Sequence, residues 1–98
     1  MNLLPPGTLL QLEYLRERLA RLPPGGFVEI GPGSGEITHL LLGLGWHGES
    51  VDLDLQTINA IRLRFSPEIA QGRYRARQTD YLDAQFEGSQ ADLVISCM

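Results

Sequence analysis

The chain has 98 residues, with 8 Arg and no Lys against 12 acidic residues, for a formal net charge of −4 and a pI near 5.0. At 43% hydrophobic and 20% charged residues, the composition is that of one small globular domain and not of a disordered chain. The acidic balance argues against a dedicated nucleic-acid binder. Apolar runs such as Leu40-Leu41-Leu42 are far too short to span a bilayer, and Cys97, alone, excludes an internal disulfide and a cysteine-based zinc site. Met1-Asn2-Leu3-Leu4-Pro5-Pro6 has neither a basic nor a long apolar leader, so the expected compartment is cytoplasmic.

The first predicted element is an amphipathic helix over residues 8–22. Leu12, Leu15, Leu19 and Leu22 follow helical spacing and fall on one stripe. Thr8 with Gln11 has the form of a capping box, and Pro23-Pro24-Gly25-Gly26 stops the helix. Phe27-Val28-Glu29-Ile30 reads as a short buried strand, followed by the glycine-rich turn Gly31-Pro32-Gly33-Ser34-Gly35. A helix over 36–42 comes next, stopped by Gly43 and Gly45. A second strand covers 49–53, and Asp54 is the expected N-cap of a helix running to Phe65. Ile58, Ile61 and Phe65 lie at helical spacing there, and Ser66-Pro67 is the expected stop. Arg73, Arg75 and Arg77 alternate with Tyr74, Ala76 and Gln78, which predicts a strand over 73–78 whose arginine row marks a sheet edge. Residues 91–97 read as a last buried strand.

Strands alternating with helices predict an α/β domain, a parallel sheet with right-handed crossovers. Ligands of such sheets bind beyond the carboxyl ends of the strands. The glycine turn, Asp52 and Asp80 all fall at such ends, so the topology gathers them on one rim although they are distant in sequence.

The turn from Gly31 to Gly35 carries the sharpest chemistry. Glycines there permit positive φ and close approach of a ligand to the backbone. Asp52 stands 17 positions beyond Gly35, where a carboxylate can accept both hydroxyl protons of a ribose. A dinucleotide fingerprint needs a third glycine where this chain has Glu36. Glu36 and Glu29 would set negative charge against a phosphate, and so favour a cationic nucleoside over NAD.

Val28-Glu29-Ile30-Gly31-Pro32-Gly33-Ser34-Gly35 resembles the first motif of class I S-adenosylmethionine-dependent methyltransferases. Val51-Asp52-Leu53-Asp54 resembles their second motif, Thr79-Asp80-Tyr81 the acidic turn after the third strand, and Ala91-Asp92-Leu93-Val94-Ile95-Ser96 the fourth strand. The resemblance implies a Rossmann-like three-layer sandwich with strand order 3-2-1-4. Residues 1–26 would form an N-terminal helix and linker, and residues 27–98 part of the cofactor-binding domain. It implies that Gly31, Pro32, Gly33, Ser34 and Gly35 pass under the methionine part of S-adenosylmethionine, and that Glu29 helps hold its amino group. Asp52 would accept the ribose hydroxyls and Leu53 would pack on adenine. Asp80 would accept from the adenine amine with Tyr81 nearby, and the backbone at Ser96 would face the methyl group. Methyl transfer would leave S-adenosylhomocysteine as product.

The family's sheet has seven strands and this chain supplies about four. An unpaired strand at 91–97 would expose an apolar edge, so the chain is expected to be a truncated half-domain that pairs there with the missing C-terminal half or dimerises. Ser96-Cys97-Met98 matches neither the Asn/Asp-Pro-Pro-Tyr nor the Asn-Leu-Pro-Tyr type of acceptor motif, which leaves a small-molecule acceptor favoured over nucleic acid. Two alternatives are a non-catalytic S-adenosylmethionine-binding module and a fragment of an NAD-binding oxidoreductase. Cys97 and Trp46 read as packing residues, and His39 and His47 (helix and following loop) have no metal-ligand spacing. Tyr14 is placed either over the cofactor or half-buried on the first helix.

Overall fold

The computed structural model describes residues 6–80 and 91–96. Helix α1 spans Pro6–Leu19. It starts ahead of Thr8, which therefore lies inside the first turn and not at the cap. Proline is favoured at such a start because a first-turn N–H has no intrahelical acceptor. Leu12 and Leu15 pack on the core and Leu19 is buried, but Leu22 is 51% exposed. The ladder ends with Ala20 N–H on the Arg16 carbonyl; the next bonds, Arg21 to Arg18 and Leu22 to Leu19, are tighter turns that carry Leu22 off the stripe.

The remaining elements are β1 (Gly26–Ile30), α2 (Glu36–Gly43), β2 (His47–Asp52), α3 (Leu55–Arg64), α4 (Ser66–Ala70), β3 (Tyr74–Gln78) and β4 (Leu93–Ser96). Several boundaries differ from expectation. His47 opens β2 instead of lying in a loop, and Leu53 falls beyond the end of that strand. Ser66-Pro67 ends α3 but also starts α4, since proline fits a helix's first turn as well as it blocks a helix's interior. β4 is shorter than 91–97: Asp92 lies ahead of it, its carboxylate accepting Gly26 N–H at 2.9 Å and its own N–H donating to the Gly26 carbonyl at 2.9 Å. Cys97 lies outside the described residues. The stop after α2 is a Schellman turn, with Gly45 at φ +92°, Gly45 N–H on Leu42 and Trp46 N–H on Leu41.

The described strands form one parallel sheet, as the alternation of elements predicts, in the order β3-β2-β1-β4 that the family resemblance implies. The arginine-bearing strand β3 is at the edge. Glu29 pairs in register with Ser50 on one side and Ile95 on the other; Ile30 pairs with Val51 and Ser96.

Side-chain alternation divides the sheet into two faces. Phe27, Tyr74 and Ala76 point into a core built with Leu41 of α2, Ile58, Ile61 and Phe65 from the α3 side, Leu19 and Trp46. Phe65 meets Tyr74 edge-to-face with ring centroids 5.5 Å apart. On the opposite face Glu49 receives Arg75 at 2.7 Å and Arg77 at 3.0 Å. The arginine row is thus divided: Arg73, ahead of β3, donates to the Leu42 and Trp46 carbonyls near the C-terminus of α2.

Candidate functional site

The turn after β1 uses its glycines for conformation. Gly31, Gly33 and Gly35 have φ of +71°, +56° and +93°, a region that costs other residues about 1–2 kcal/mol. Gly31 N–H donates to the Val51 carbonyl and Gly35 N–H to Pro32, which closes the turn over the end of the sheet. Pro32 is buried and Ser34 exposed. A Cβ placed on Gly33 would meet nothing within 4 Å, whereas one on Gly35 would lie 2.8 Å from Phe65 and 2.9 Å from Ile61. The turn is therefore open at Gly33 and walled by α3 at Gly35.

Beside it, at the end of β2, Asp52 and Asp54 divide their tasks. Asp54 caps α3: its Oδ2 accepts Thr57 N–H at 3.1 Å and Thr57 Oγ1 at 2.6 Å. The Thr57 hydroxyl, and then its N–H, hold the Asp54 carboxyl below the usual carboxylate range. Asp52 Oδ1 accepts Asp54 N–H at 2.8 Å, which fixes the Asp52 carboxylate at the rim. Thr79 N–H donates to the Asp52 carbonyl, and Gln78 Nε2 to the Leu53 carbonyl, so the end of β3 is fastened to the same corner.

Between these segments lies a cleft of about 140 Å³. It is lined by Ile30, Gly31 and Val51 from the ends of β1 and β2 and by Asp52, Leu53, Thr79 and Asp80. Leu53 is 65% exposed, an apolar surface held open at the end of a strand. Ser96, across from Ile30 in register, ends β4 on the same rim. The structure thus brings Gly31, Asp52, Leu53 and Asp80 together around one cleft. Tyr81 lies outside the described residues.

Glu29 is placed differently. It is fully buried on the helix-covered face, where its Oε1 accepts the hydroxyls of Thr38 and of Ser50, the latter at 2.7 Å. Tyr74 OH donates in turn to Ser50 Oγ at 2.7 Å. Burial pushes the Tyr74 hydroxyl up to about 12, with the nearby Glu29 charge adding to the shift. The sequence reading does not single out Thr38, Ser50 or Tyr74 as site residues. Their signal is a polar group at positions that the strand and helix patterns turn inward.

Two further expectations are corrected. Glu36 does not stand as an unpaired charge at the turn, because Arg64 Nη1 lies 3.0 Å from its Oε1. With Glu29 turned into the core, the acids that line the cleft are Asp52 and Asp80, and among the described residues no cation lines it. Tyr14 is 61% exposed and engages Arg18, whose guanidinium lies 5.6 Å from the ring centre. His39 and His47 are both exposed. Among the described residues no His, Cys, Asp and Glu cluster that could hold a metal, and no helix is long and apolar enough to cross a membrane.

A parallel sheet in the order 3-2-1-4, with a glycine turn after its first strand and an acid at the end of its second, is the fold of class I S-adenosylmethionine-dependent methyltransferases. Solved structures agree. The chain superposes on a methyltransferase from Agrobacterium tumefaciens with a TM-score of 0.73, at 16% identity, over 95% of this chain and 32% of that one. It matches a glycopeptide N-methyltransferase complexed with S-adenosylmethionine at a TM-score of 0.58 and 28% identity, over 70% of this chain and 29% of the other. An RNA methyltransferase from Salinibacter ruber in complex with S-adenosylhomocysteine gives 0.67 at 18% identity, over 97% of this chain and 60% of its own. The chain therefore spans roughly a third to three-fifths of the length of these structures. No protein-family model matches the sequence, and no curated protein matches it.

Proposed function

We propose that this chain binds S-adenosylmethionine in the cleft at the carboxyl ends of β1, β2 and β3, and supplies the cofactor-binding half of a methyltransferase. One observation carries the reading: a turn of three left-handed glycines, open at Gly33, adjoins a cleft lined by Ile30, Val51 and Leu53 together with Asp52 and Asp80. The amino-acid end of the ligand lies over Gly31–Gly35. Asp52 accepts the ribose hydroxyls, Leu53 packs on the adenine face, and Asp80, with Tyr81 beside it, takes the adenine amine. Ser96 borders the methyl group. Glu29 serves the amino-acid end through the hydroxyl network beneath the turn. The sulfonium supplies the electrophile, and this chain's residues orient it toward the acceptor and keep the nucleoside fixed.

Two solved neighbours that carry S-adenosylmethionine or S-adenosylhomocysteine support the cofactor assignment. The charge of the cleft supports it as well. Among the described residues Asp52 and Asp80 line the cleft and no Arg or Lys does, which suits ribose hydroxyls and an adenine amine, while Glu36 stands where a dinucleotide turn needs its third glycine. The acceptor we favour is a small molecule, since the net charge of −4 gives the chain no general attraction for nucleic acid. Residues that complete the acceptor site would come from a further segment or from a second copy, joined along the edge of β4 that no described strand covers.

The test is calorimetric titration with S-adenosylhomocysteine, with NADH as the control. Binding at micromolar affinity is expected for the wild type, with a loss of about tenfold or more in Asp52→Ala. Asp52→Asn, which keeps an acceptor for Asp54 N–H, separates ligand contact from local structure. Binding that survives both substitutions, or NADH binding in place of S-adenosylhomocysteine, refutes the assignment.

A further inference from the structure

Helix α3 touches the site at both of its ends. Its N-terminus follows directly from Asp52-Leu53-Asp54, and its last turn delivers Ile61, Arg64 and Phe65 to the glycine turn. Ile61 and Phe65 are 1% and 3% exposed and form the wall behind Gly35. Arg64 lies outside that wall, its guanidinium 5.2 Å from the Phe65 ring centre. Its Nη1 donates to the Ser34 carbonyl and, at 3.0 Å, to Glu36 Oε1. One cation thus joins the backbone of the turn to the first residue of α2.

A turn with three glycines has more conformational freedom to lose than an ordinary loop, so its native shape needs restraint from outside. The Ser34 carbonyl is a backbone acceptor that another loop conformation would point elsewhere. Glu36 at the start of α2 is favourably placed against the helix dipole and holds Arg64 in position. We propose that Arg64 is a positioning residue: by holding Ser34 and Glu36 together it presets the turn for the amino-acid end of the cofactor. The nucleoside end depends on Asp52 and Leu53, which Arg64 does not touch. This proposal rests on the cofactor reading above and deepens it by assigning the restraint to one side chain.

The experiment compares two ligands that share the nucleoside and differ in the amino-acid end, S-adenosylhomocysteine and 5′-methylthioadenosine. Arg64→Gln is expected to weaken the first about tenfold and leave the second unchanged, the pattern of lost preorganisation. Arg64→Lys, which keeps the charge but offers one donor group in place of a planar fork, is expected to recover part of the loss. Glu36→Gln, which keeps the Ser34 bond, is expected to show a smaller loss of the same selectivity. Amide exchange without ligand is the second readout: exchange over residues 31–36 should quicken in Arg64→Gln while that of the strands stays constant. Equal weakening of both ligands, no weakening of either, or unchanged exchange over the turn overturns the proposal. If wild-type chain binds neither ligand while Arg64→Gln still quickens exchange over the turn, the cofactor reading falls and the restraint by Arg64 stands.

Discussion

Replacing Gly35 with alanine tests the packing of α3 on the turn more directly than any change in the cleft. Two costs combine at this position. The backbone sits at φ +93°, where a β-carbon costs about 1–2 kcal/mol. The new methyl would also come within 2.8 Å of Phe65 and 2.9 Å of Ile61, both locked in the core, and such overpacking costs typically about 1–3 kcal/mol. Together these amount to about 2–5 kcal/mol, against a total stability of roughly 5–15 kcal/mol for a chain of this size. Gly33→Ala is the internal control. Its φ of +56° carries the backbone cost, but the added carbon meets nothing within 4 Å. Urea denaturation followed by circular dichroism should therefore place Gly35→Ala well below Gly33→Ala, with both below the wild type. The order should invert for ligand: Gly33→Ala narrows the open side of the turn and should cost more affinity per unit of stability lost. Equal stability of the two variants would refute the packing of α3 against Gly35.

Tyr74→Phe should cost about 1 kcal/mol at neutral pH through loss of the bond to Ser50. With its hydroxyl raised from 10.0 to about 12 in the fold, Tyr74 contributes stability that is complete below pH 10 and lost as pH climbs toward 12. The gap between wild type and Tyr74→Phe in urea midpoint should therefore narrow over that alkaline range; a constant gap contradicts the buried network. Glu49→Gln removes the partner of Arg75 and Arg77 on the other face of the sheet. With Arg75 61% and Arg77 35% exposed, a loss of about 1 kcal/mol or less is expected at low salt and should fade at high salt; a salt-independent loss would mean that Glu49 acts by packing.

Much of this architecture is legible in the sequence because the local signals agree with one another. Alternating apolar segments, the Gly45 stop and the Asp54 cap each specify an element locally, though Gly43, also expected to stop α2, is its last residue; the parallel sheet follows from the alternation, and its strand order from the family resemblance. The misreadings arise where one residue type serves opposite purposes. Pro67 terminates α3 and starts α4, since a proline ring is excluded from a helix interior and suited to its first turn. Leu22 continues the spacing of the leucine stripe, but spacing cannot show that the helix narrows to tight turns after Leu19. Arg73 shares the period of Arg75 and Arg77, yet it precedes the strand and reaches the end of α2. In the site, the cleft-forming order of Gly31, Asp52, Leu53 and Asp80 is readable from their places at strand ends. Arg64 is not, because its partner Ser34 is 30 residues away and engages it through a backbone carbonyl that leaves no trace in side-chain pattern.

Charge at the site is distributed differently from the sequence expectation. The expectation that acids at the turn disfavour phosphate was placed on Glu29 and Glu36. In the fold the buried Glu29 accepts the Thr38 and Ser50 hydroxyls at Oε1, and Glu36 faces Arg64. Neither lines the cleft. The acids that do, Asp52 and Asp80, stand at the ends of neighbouring strands and on the walls of one small pocket. Their charge lies at the strand ends, while Glu36 at the turn is paired with Arg64. An acid at the end of β2 would also accept the ribose of NAD, so Asp52 does not select against a dinucleotide; that selection rests on Glu36, which stands where a dinucleotide turn needs its third glycine, and Glu36→Gly should relax it more than neutralising Asp52 does.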